Sequence, residues 1–144
     1  MVVLVVEDEA MIAFCSAAML EAAGYAVLGP AHTSAEALEL ARSKRPDVAL
    51  IDIDLETPEV GISVARQLHT QYATAIVFTT GRFEQAQLNS DIAGAALAKP
   101  FDPADLPRIV AYAASRPRHF SRSSATPSRS ASFTGLPVHS GSGA

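Results

Sequence analysis

The sequence predicts an α/β fold in which five strands alternate with five helices, giving a doubly wound parallel sheet of (βα)₅ order with right-handed crossovers. Short apolar runs alternate with segments of helical period over residues 1–115. The first run, Val2–Val6, is apolar throughout, which is typical of a parallel strand buried on both faces. Polar residues follow four of the five strands, and in an open α/β sheet such residues gather at the carboxyl edge.

Glycine, proline and capping residues mark the ends of the elements in the first two strand–helix units. After Val2–Val6, residues 9–23 have the pattern of a helix, and Gly24 ends it because glycine adopts the left-handed conformation of a C-cap. Residues 25–28 form a short second strand, which Gly29-Pro30 closes. Thr33 or Ser34 then caps a second helix that runs to about residue 43.

The third and fourth strands are rich in β-branched and apolar residues. Val48–Ile51 is the third strand, and a loop over residues 56–61 separates it from a helix with Ile62, Ala65 and Leu68 facing inward. Ala75–Phe78 is the fourth strand.

The helix and strand patterns in the sequence are weaker toward the end of the domain. The fourth helix falls within residues 82–94 and is short, because turn-forming residues interrupt it. Ala95–Ala98 is a strand mainly by its context. Asp102 and Pro103 start the last helix, which runs to Ala114 and contains a second proline, Pro107, that disturbs its first turn.

Composition indicates one globular domain and excludes several classes of protein. The chain has 144 residues, 49% of them hydrophobic, and a formal charge of −4. Its single cysteine, Cys15, excludes an intramolecular disulfide, and we expect it to be a buried filler. No apolar stretch approaches the roughly 18 residues of a membrane span. The N-terminus lacks the basic segment of a secretion signal, so we expect a cytoplasmic protein without membrane contact.

Charge divides the chain into a domain, residues 1–115, and a tail, residues 116–144. The domain holds all 15 acids and seven of the 11 bases, a formal charge of −8, which argues against nucleic-acid binding by the folded part. The tail holds four arginines and no acid, and Ser, Arg and Pro dominate it. Such a segment cannot bury enough apolar surface to offset its ordering entropy, so we expect a disordered basic tail.

Three carboxylates follow the first and third strands. Glu7 and Asp8 are adjacent, and neighbouring acids repel each other unless a cation neutralises them. With Asp52 they make an oxygen-rich pocket that suits Mg²⁺. The alternative is that Glu7, Asp8 and Glu9 only form an acidic first helical turn. Asp52 favours the metal site, because it lies outside that turn.

Asp52 and Asp54 are both candidate nucleophiles. A carboxylate held beside a cation can attack phosphorus and form an acyl phosphate, and on chemistry alone either residue fits. The length of the apolar run favours Asp52, which comes first after it. Asp54 then lies in the loop, where its carbonyl faces the metal.

A hydroxyl and an ammonium complete the strand-end set. Thr80 can donate to phosphoryl oxygens, and the following Gly81 leaves room for the group, whereas Thr79 should face the opposite side of the sheet. Lys99 can pair with the acids and with phosphoryl oxygens, the alternative being a surface lysine. None of the four histidines is expected at the cluster: His32, His69, His119 and His139.

With these motifs the chain resembles the receiver domain of bacterial two-component response regulators, of the stand-alone type. The matching segments are Val-Val-Glu-Asp-Glu at 5–9, Leu-Ile-Asp-Ile-Asp-Leu at 50–55, Phe-Thr-Thr-Gly at 78–81 and Lys-Pro-Phe at 99–101. The resemblance implies a flavodoxin-like fold and a signalling role rather than an enzyme's. It also implies transfer from a sensor histidine kinase or a histidine phosphotransfer protein, and output to a downstream protein.

The same resemblance implies a role for each strand-end residue. Asp52 would be the phosphoacceptor, and Asp8, Asp52 and the Asp54 carbonyl would bind Mg²⁺, with Glu7 acting through water. Thr80 and Lys99 would hold the phosphoryl group.

Two features depart from the family. An aromatic residue usually stands three positions before the lysine, where this chain has Ala96, and the stretch between Thr80 and Lys99 is shorter than usual. Because of these departures, a degenerate receiver that binds partners without phosphorylation remains an alternative interpretation. A haloacid-dehalogenase-like phosphatase is a further alternative, because Asp52-Ile53-Asp54 partly matches its hallmark, although Glu56 stands where threonine or valine is required.

Overall fold

The computed structural model describes residues 1–116, which form one five-stranded parallel sheet in the order β2-β1-β3-β4-β5. The strands are β1 Val2–Val6, β2 Ala26–Ala31, β3 Val48–Asp52, β4 Ala75–Thr80 and β5 Ala93–Ala98. The helices are α1 Ala10–Ala22, α2 Ser34–Ser43, α3 Pro58–Tyr72, α4 Phe83–Leu88 and α5 Leu106–Ser115. The predicted doubly wound (βα)₅ fold is therefore confirmed. The predicted basic tail lies outside the described residues, apart from Arg116.

Both faces of the sheet are covered. Successive residues of β1 alternate between two hydrophobic clusters: Leu4 packs in the cluster that includes residues of α2 and α3, whereas Val3 and Val5 pack in the cluster that includes residues of α1 and α5. This burial on both faces explains why the first run is apolar without alternation. No described helix has the length and hydropathy needed to cross a membrane.

The edge strand β2 is longer than the sequence predicted. It runs through Gly29-Pro30, which is a cis peptide bond, and ends at Ala31, whose carbonyl accepts a hydrogen bond of 2.9 Å from the backbone N–H of Glu7. A proline is tolerated here because β2 is at the edge of the sheet, where a missing backbone donor costs little.

Helix α3 begins earlier than predicted, at Pro58 rather than after Gly61. The Thr57 hydroxyl caps it by accepting from the Val60 N–H at 3.3 Å, and a proline suits the first helical position. Gly61 is buried inside this helix. A Cβ there would lie 2.8 Å from the Asp52 carbonyl oxygen and closer still to that of Ile53. The missing side chain lets α3 pack directly on the end of β3.

The segment between β4 and α5 follows the prediction in outline. Helix α4 is short, with six residues. Strand β5 starts at Ala93, two residues before the predicted start, because pairing with β4 outweighs the poor strand propensity of alanine and glycine. Asp102 caps the next turn by accepting from Ala104 N–H at 3.0 Å. That turn is a 3₁₀ turn, so α5 begins only at Leu106, in keeping with the expected disturbance near Pro107.

Candidate functional site

The order of the strands brings the predicted residues to one edge. β1 and β4 flank β3, so the residues that follow β1 lie on one side of Asp52 and the end of β4 lies on the other. Asp52 is aligned with Thr79, and β4 ends one residue later, at Thr80. β5 pairs with β4 and places Lys99 just beyond its end, with the Lys99 N–H donating to the Thr80 carbonyl at 2.8 Å.

Glu7, Asp8 and Asp52 form one acidic cluster. Each offers a carboxylate oxygen, and these atoms all lie within 4.8 Å of one another. Glu7 and Asp52 are buried, at 4% and 3% exposure, whereas Asp8 is exposed. The Asp52 Oδ1 atom accepts from the Asp54 N–H at 2.9 Å. The cluster is thus open to solvent on the side of Asp8.

Lys99 bridges the two buried carboxylates. Its Nζ atom lies 3.2 Å from Glu7 Oε1 and 3.2 Å from Asp52 Oδ2, with the side chain 21% exposed. Burial acts to lower the pKa of Lys99, but the negative charges of Asp52 and Glu7 outweigh it, so this pKa is raised above its ordinary value. Lys99 thus pairs with the acids as predicted, and the alternative of a surface lysine is excluded.

One positive charge does not neutralise the cluster. Burial raises the pKa of Glu7 to about 7, the charge of Asp52 contributes in the same direction, and the Glu9 N–H and Lys99 act against the rise. The carboxylate oxygens of the cluster lie within 4.8 Å of one another, and the negative charge of the buried Glu7 is unfavourable there. A small divalent cation such as Mg²⁺ fits both features, because it binds oxygen ligands and compensates negative charge. The residues that would hold it are Glu7, Asp8 and Asp52, and the Asp54 carbonyl remains a prediction as a further ligand.

Thr80 is buried and its hydroxyl is engaged within its own loop. The Oγ1 atom accepts from the Arg82 N–H at 2.9 Å and donates to the Arg82 carbonyl at 3.2 Å. Ile76 and Phe78 pack in one hydrophobic cluster and Val77 in the other, so alternation along β4 puts Thr79 and Thr80 on opposite faces, as predicted. The Gly81 position is open, since a Cβ there would meet nothing within 4 Å.

The structure adds Arg82 to the site, which the sequence analysis did not identify. Its Nη2 atom lies 3.4 Å from Asp54 Oδ1. A signal was available: Arg82 follows Thr80 by two residues, Asp54 follows Asp52 by two, and the two strands are neighbours with opposite charges beyond their ends.

A second group that borders the site lies on the loop after β2. The His32 Nδ1 atom is 3.0 Å from the main-chain carbonyl oxygen of Glu7, so this histidine contacts the backbone beside the cluster. It is not one of the side chains whose ligand atoms come together there, which are Glu7, Asp8 and Asp52. The start of α2 is tied to the loop after β3, because Ser34 donates its N–H and its hydroxyl to the Glu56 carboxylate at 3.2 and 3.3 Å.

Residues 3–111 match the family described as the response regulator receiver domain. The match covers most of the chain, so the protein belongs to this family of signalling domains. The family assignment displaces the phosphatase-like alternative, which rested on a partial motif.

Two curated relatives illustrate the family. The phyllosphere-induced regulator PhyR of Methylorubrum extorquens is 34% identical over 77% of this chain and 42% of its own length. The transcriptional regulatory protein PdtaR of Mycobacterium tuberculosis is 36% identical over 79% of this chain and 57% of its own. The chain therefore spans about half the length of these curated relatives.

Among solved structures, a response regulator of Burkholderia pseudomallei with a phosphorylated aspartic acid, a calcium ion and citrate is 31% identical. The match covers 76% of this chain and 65% of the Burkholderia chain, with a TM-score of 0.66.

Proposed function

We propose that this protein is a phosphoacceptor receiver of a two-component phosphorelay, in which Asp52 takes a phosphoryl group from a sensor histidine kinase or a histidine phosphotransfer protein. One observation carries the proposal. The buried Asp52 carboxylate, at the end of the central strand, is in contact with the Lys99 ammonium and adjacent to two further acids that suit a divalent cation. Membership of the receiver family supports the same chemistry.

The transfer needs one nucleophile and several groups that stabilise charge. An Asp52 carboxylate oxygen attacks phosphorus, the P–N bond of the donor's phosphohistidine breaks, and its electron pair returns to the imidazole. Lys99 already contacts Asp52 Oδ2 and compensates negative charge on the transferred oxygens. The open position at Gly81 admits the group.

Thr80 and the metal ligands have the remaining roles. The Thr80 hydroxyl would donate to a phosphoryl oxygen after leaving Arg82. Glu7, Asp8, Asp52 and the Asp54 carbonyl would hold Mg²⁺, which when bound offsets negative charge on phosphoryl oxygens. The Burkholderia relative, described with a phosphorylated aspartic acid and a calcium ion, supports this combination of an acyl phosphate and a divalent cation.

Output would pass through contact with a downstream protein in the cytoplasm. The −8 charge of residues 1–115 is unfavourable for nucleic-acid binding, and the relatives are regulators about twice as long as the shared domain. A degenerate receiver that binds partners without phosphorylation is the second candidate, because Ala96 is fully buried and offers no aromatic ring to move.

The test is incubation of the protein with acetyl phosphate and Mg²⁺, followed by intact-mass spectrometry. We expect the wild type to gain the mass of one phosphoryl group, Asp52→Asn to gain none, and Asp54→Asn to remain competent. The absence of any gain in the wild type would contradict the phosphoacceptor proposal and favour the degenerate receiver. A gain that survives Asp52→Asn would reject Asp52 as the acceptor. Continuous turnover of p-nitrophenyl phosphate would reject a receiver altogether.

A further inference from the structure

Helix α1 is apolar on its outer face as well as on its inner face. Glu21 is its one charged residue. Leu20 is fully buried in the cluster that includes residues of β1, whereas Met11 and Phe14 are each 69% exposed. A surface helix normally places polar residues toward solvent, so the exposed apolar side chains of α1 indicate a contact surface.

A groove lies beside this face, between α1 and the segment that joins β5 to α5. It has a volume of about 370 Å³, and its lining is mainly apolar, with Met11, Cys15, Phe101 and Pro103 among its residues. Lys99, which bridges the two buried acids, also lines it. Cys15 is only partly buried here, which corrects the expectation of a buried filler. The groove is thus an apolar site that adjoins the acidic cluster.

Exposed carboxylates flank the groove along the chain. Asp8 and Glu9 directly precede α1, and Asp102 lies between two residues of the groove lining. All three are exposed. The basic residue of the lining, Lys99, is already paired with buried acids. The groove therefore suits an apolar segment that carries positive charge.

The part of this chain that follows Arg116 has that composition. Residues 117–144 contain three arginines and no acid, whereas residues 1–115 have a formal charge of −8. The last apolar run of the chain comes after these arginines, as Phe-Thr-Gly-Leu-Pro-Val at 133–138. Opposite charges favour association of this segment with the domain, and its apolar side chains match the lining of the groove.

The length of the intervening chain decides which aromatic residue of the tail can reach the groove. The groove adjoins the start of α5, whereas the tail begins at the end of this ten-residue helix, about 15 Å away. Phe120 follows Arg116 by four residues, which span at most about 14 Å and do not lead back to the groove. Phe133 follows by 17 residues, which span up to about 56 Å.

We propose that residues 133–138 dock in the groove of their own domain, with Phe133 and Leu136 in contact with α1 and the preceding arginines near the exposed carboxylates. Covalent linkage keeps the segment at an effective concentration on the order of 1 mM, so weak contacts suffice. Because Lys99 lines the groove, the docked segment lies beside the proposed phosphoacceptor site. The docking itself does not depend on phosphorylation.

The experiment uses Cys15 as a reporter, because it lines the groove and is the single cysteine of the chain. Full-length protein is treated with iodoacetamide, and the alkylated fraction is followed by intact mass. A docked segment shields the thiol, so we expect the double variant Phe133→Ser/Leu136→Ser to react about threefold faster than the wild type. Phe120→Ser is the matched control, because it removes a tail aromatic residue that cannot reach the groove, and it should keep the wild-type rate.

Charge and protein concentration test the remaining parts of the proposal. Arg122→Ser/Arg129→Ser should also speed alkylation, and about 0.5 M NaCl should do so in the wild type but not in Phe133→Ser/Leu136→Ser. Equal rates in the wild type and in Phe133→Ser/Leu136→Ser, or the same increase in Phe120→Ser, would overturn the inference. Protection of Cys15 that increases with protein concentration would assign the groove to a second copy of the chain and would overturn docking within one chain.

Discussion

Replacing Glu7 by glutamine in the metal-free protein should remove a pH-dependent loss of stability. Burial raises the pKa of this carboxyl from 4.5 to about 7, with a further contribution from the charge of Asp52. In the unfolded chain the group ionises near its ordinary value, so between pH 4.5 and about 7 the folded protein binds more protons than the unfolded chain. Folding stability is therefore fully present below pH 4.5 and is lost as the pH rises through about 7.

The magnitude follows from the size of the shift. A change from 4.5 to about 7 corresponds to at most about 3 kcal/mol at 1.36 kcal/mol per pH unit. Lys99 lies 3.2 Å from Glu7 Oε1, and its attraction is already included in that pKa. Relaxation and water penetration around the metal-free carboxylates reduce the cost of the buried charge below this limit. We therefore expect Glu7→Gln to stabilise the metal-free protein by about 1–2 kcal/mol at pH 8 relative to its effect at pH 4.5.

The assay is urea unfolding followed by circular dichroism, in buffers containing a chelator, across pH 4.5 to 8. The difference between the wild-type and Glu7→Gln profiles isolates this carboxyl from the other titrating groups. Glu21→Gln, at an exposed position near the end of α1, is the matched control. The reasoning is refuted if the difference profile is flat with pH, or if Glu21→Gln reproduces it.

Two other predictions concern packing and metal binding. Gly61→Ala should lower the free energy of unfolding by about 1–3 kcal/mol in urea titrations, because its Cβ would lie 2.8 Å from the Asp52 carbonyl oxygen, whereas the exposed Ser63→Ala in the same helix should not. If Gly61→Ala is as stable as Ser63→Ala, α3 does not pack on the end of β3 as described. Mg²⁺ at about ten times its dissociation constant should stabilise the wild type by about 1.4 kcal/mol in thermal unfolding, and Asp8→Asn should lose most of this effect. An equal Mg²⁺ response in Asp8→Asn would place the ion elsewhere.

The fold could be predicted because local and global signals agree over most of the domain. The uniformly apolar Val2–Val6 strand indicates burial on both faces, and its alternating contacts with two clusters bear this out. The early start of α3 was also present in the sequence, as Thr57 followed by Pro58, and was missed because Gly61 resembled a loop residue. The strand Ala93–Ala98 carries no comparable signal, since pairing with β4 decides it.

The candidate site likewise contains residues that the sequence predicts and contacts that it does not predict. Residues directly after strands were predictable, because parallel strands end at a shared edge, and Lys99 bridges Glu7 and Asp52 there. The Arg82–Asp54 ion pair joins residues 28 positions apart, so its signal becomes visible only when the strand order that sets β3 beside β4 is considered. The orientation of the Thr80 hydroxyl toward Arg82 likewise depends on the turn after β4, and only the structure reveals it.

The most direct test of the central claim is the chemical location of the phosphoryl group. An acyl phosphate is reduced by borohydride to an alcohol with loss of phosphate, so a phosphorylated aspartate becomes homoserine. After loading with acetyl phosphate and Mg²⁺, reduction and peptide mapping should find homoserine at position 52 and at neither Asp8 nor Asp54. Homoserine at Asp54 or Asp8, or none in a sample that has gained phosphoryl mass, would contradict Asp52 as the acceptor.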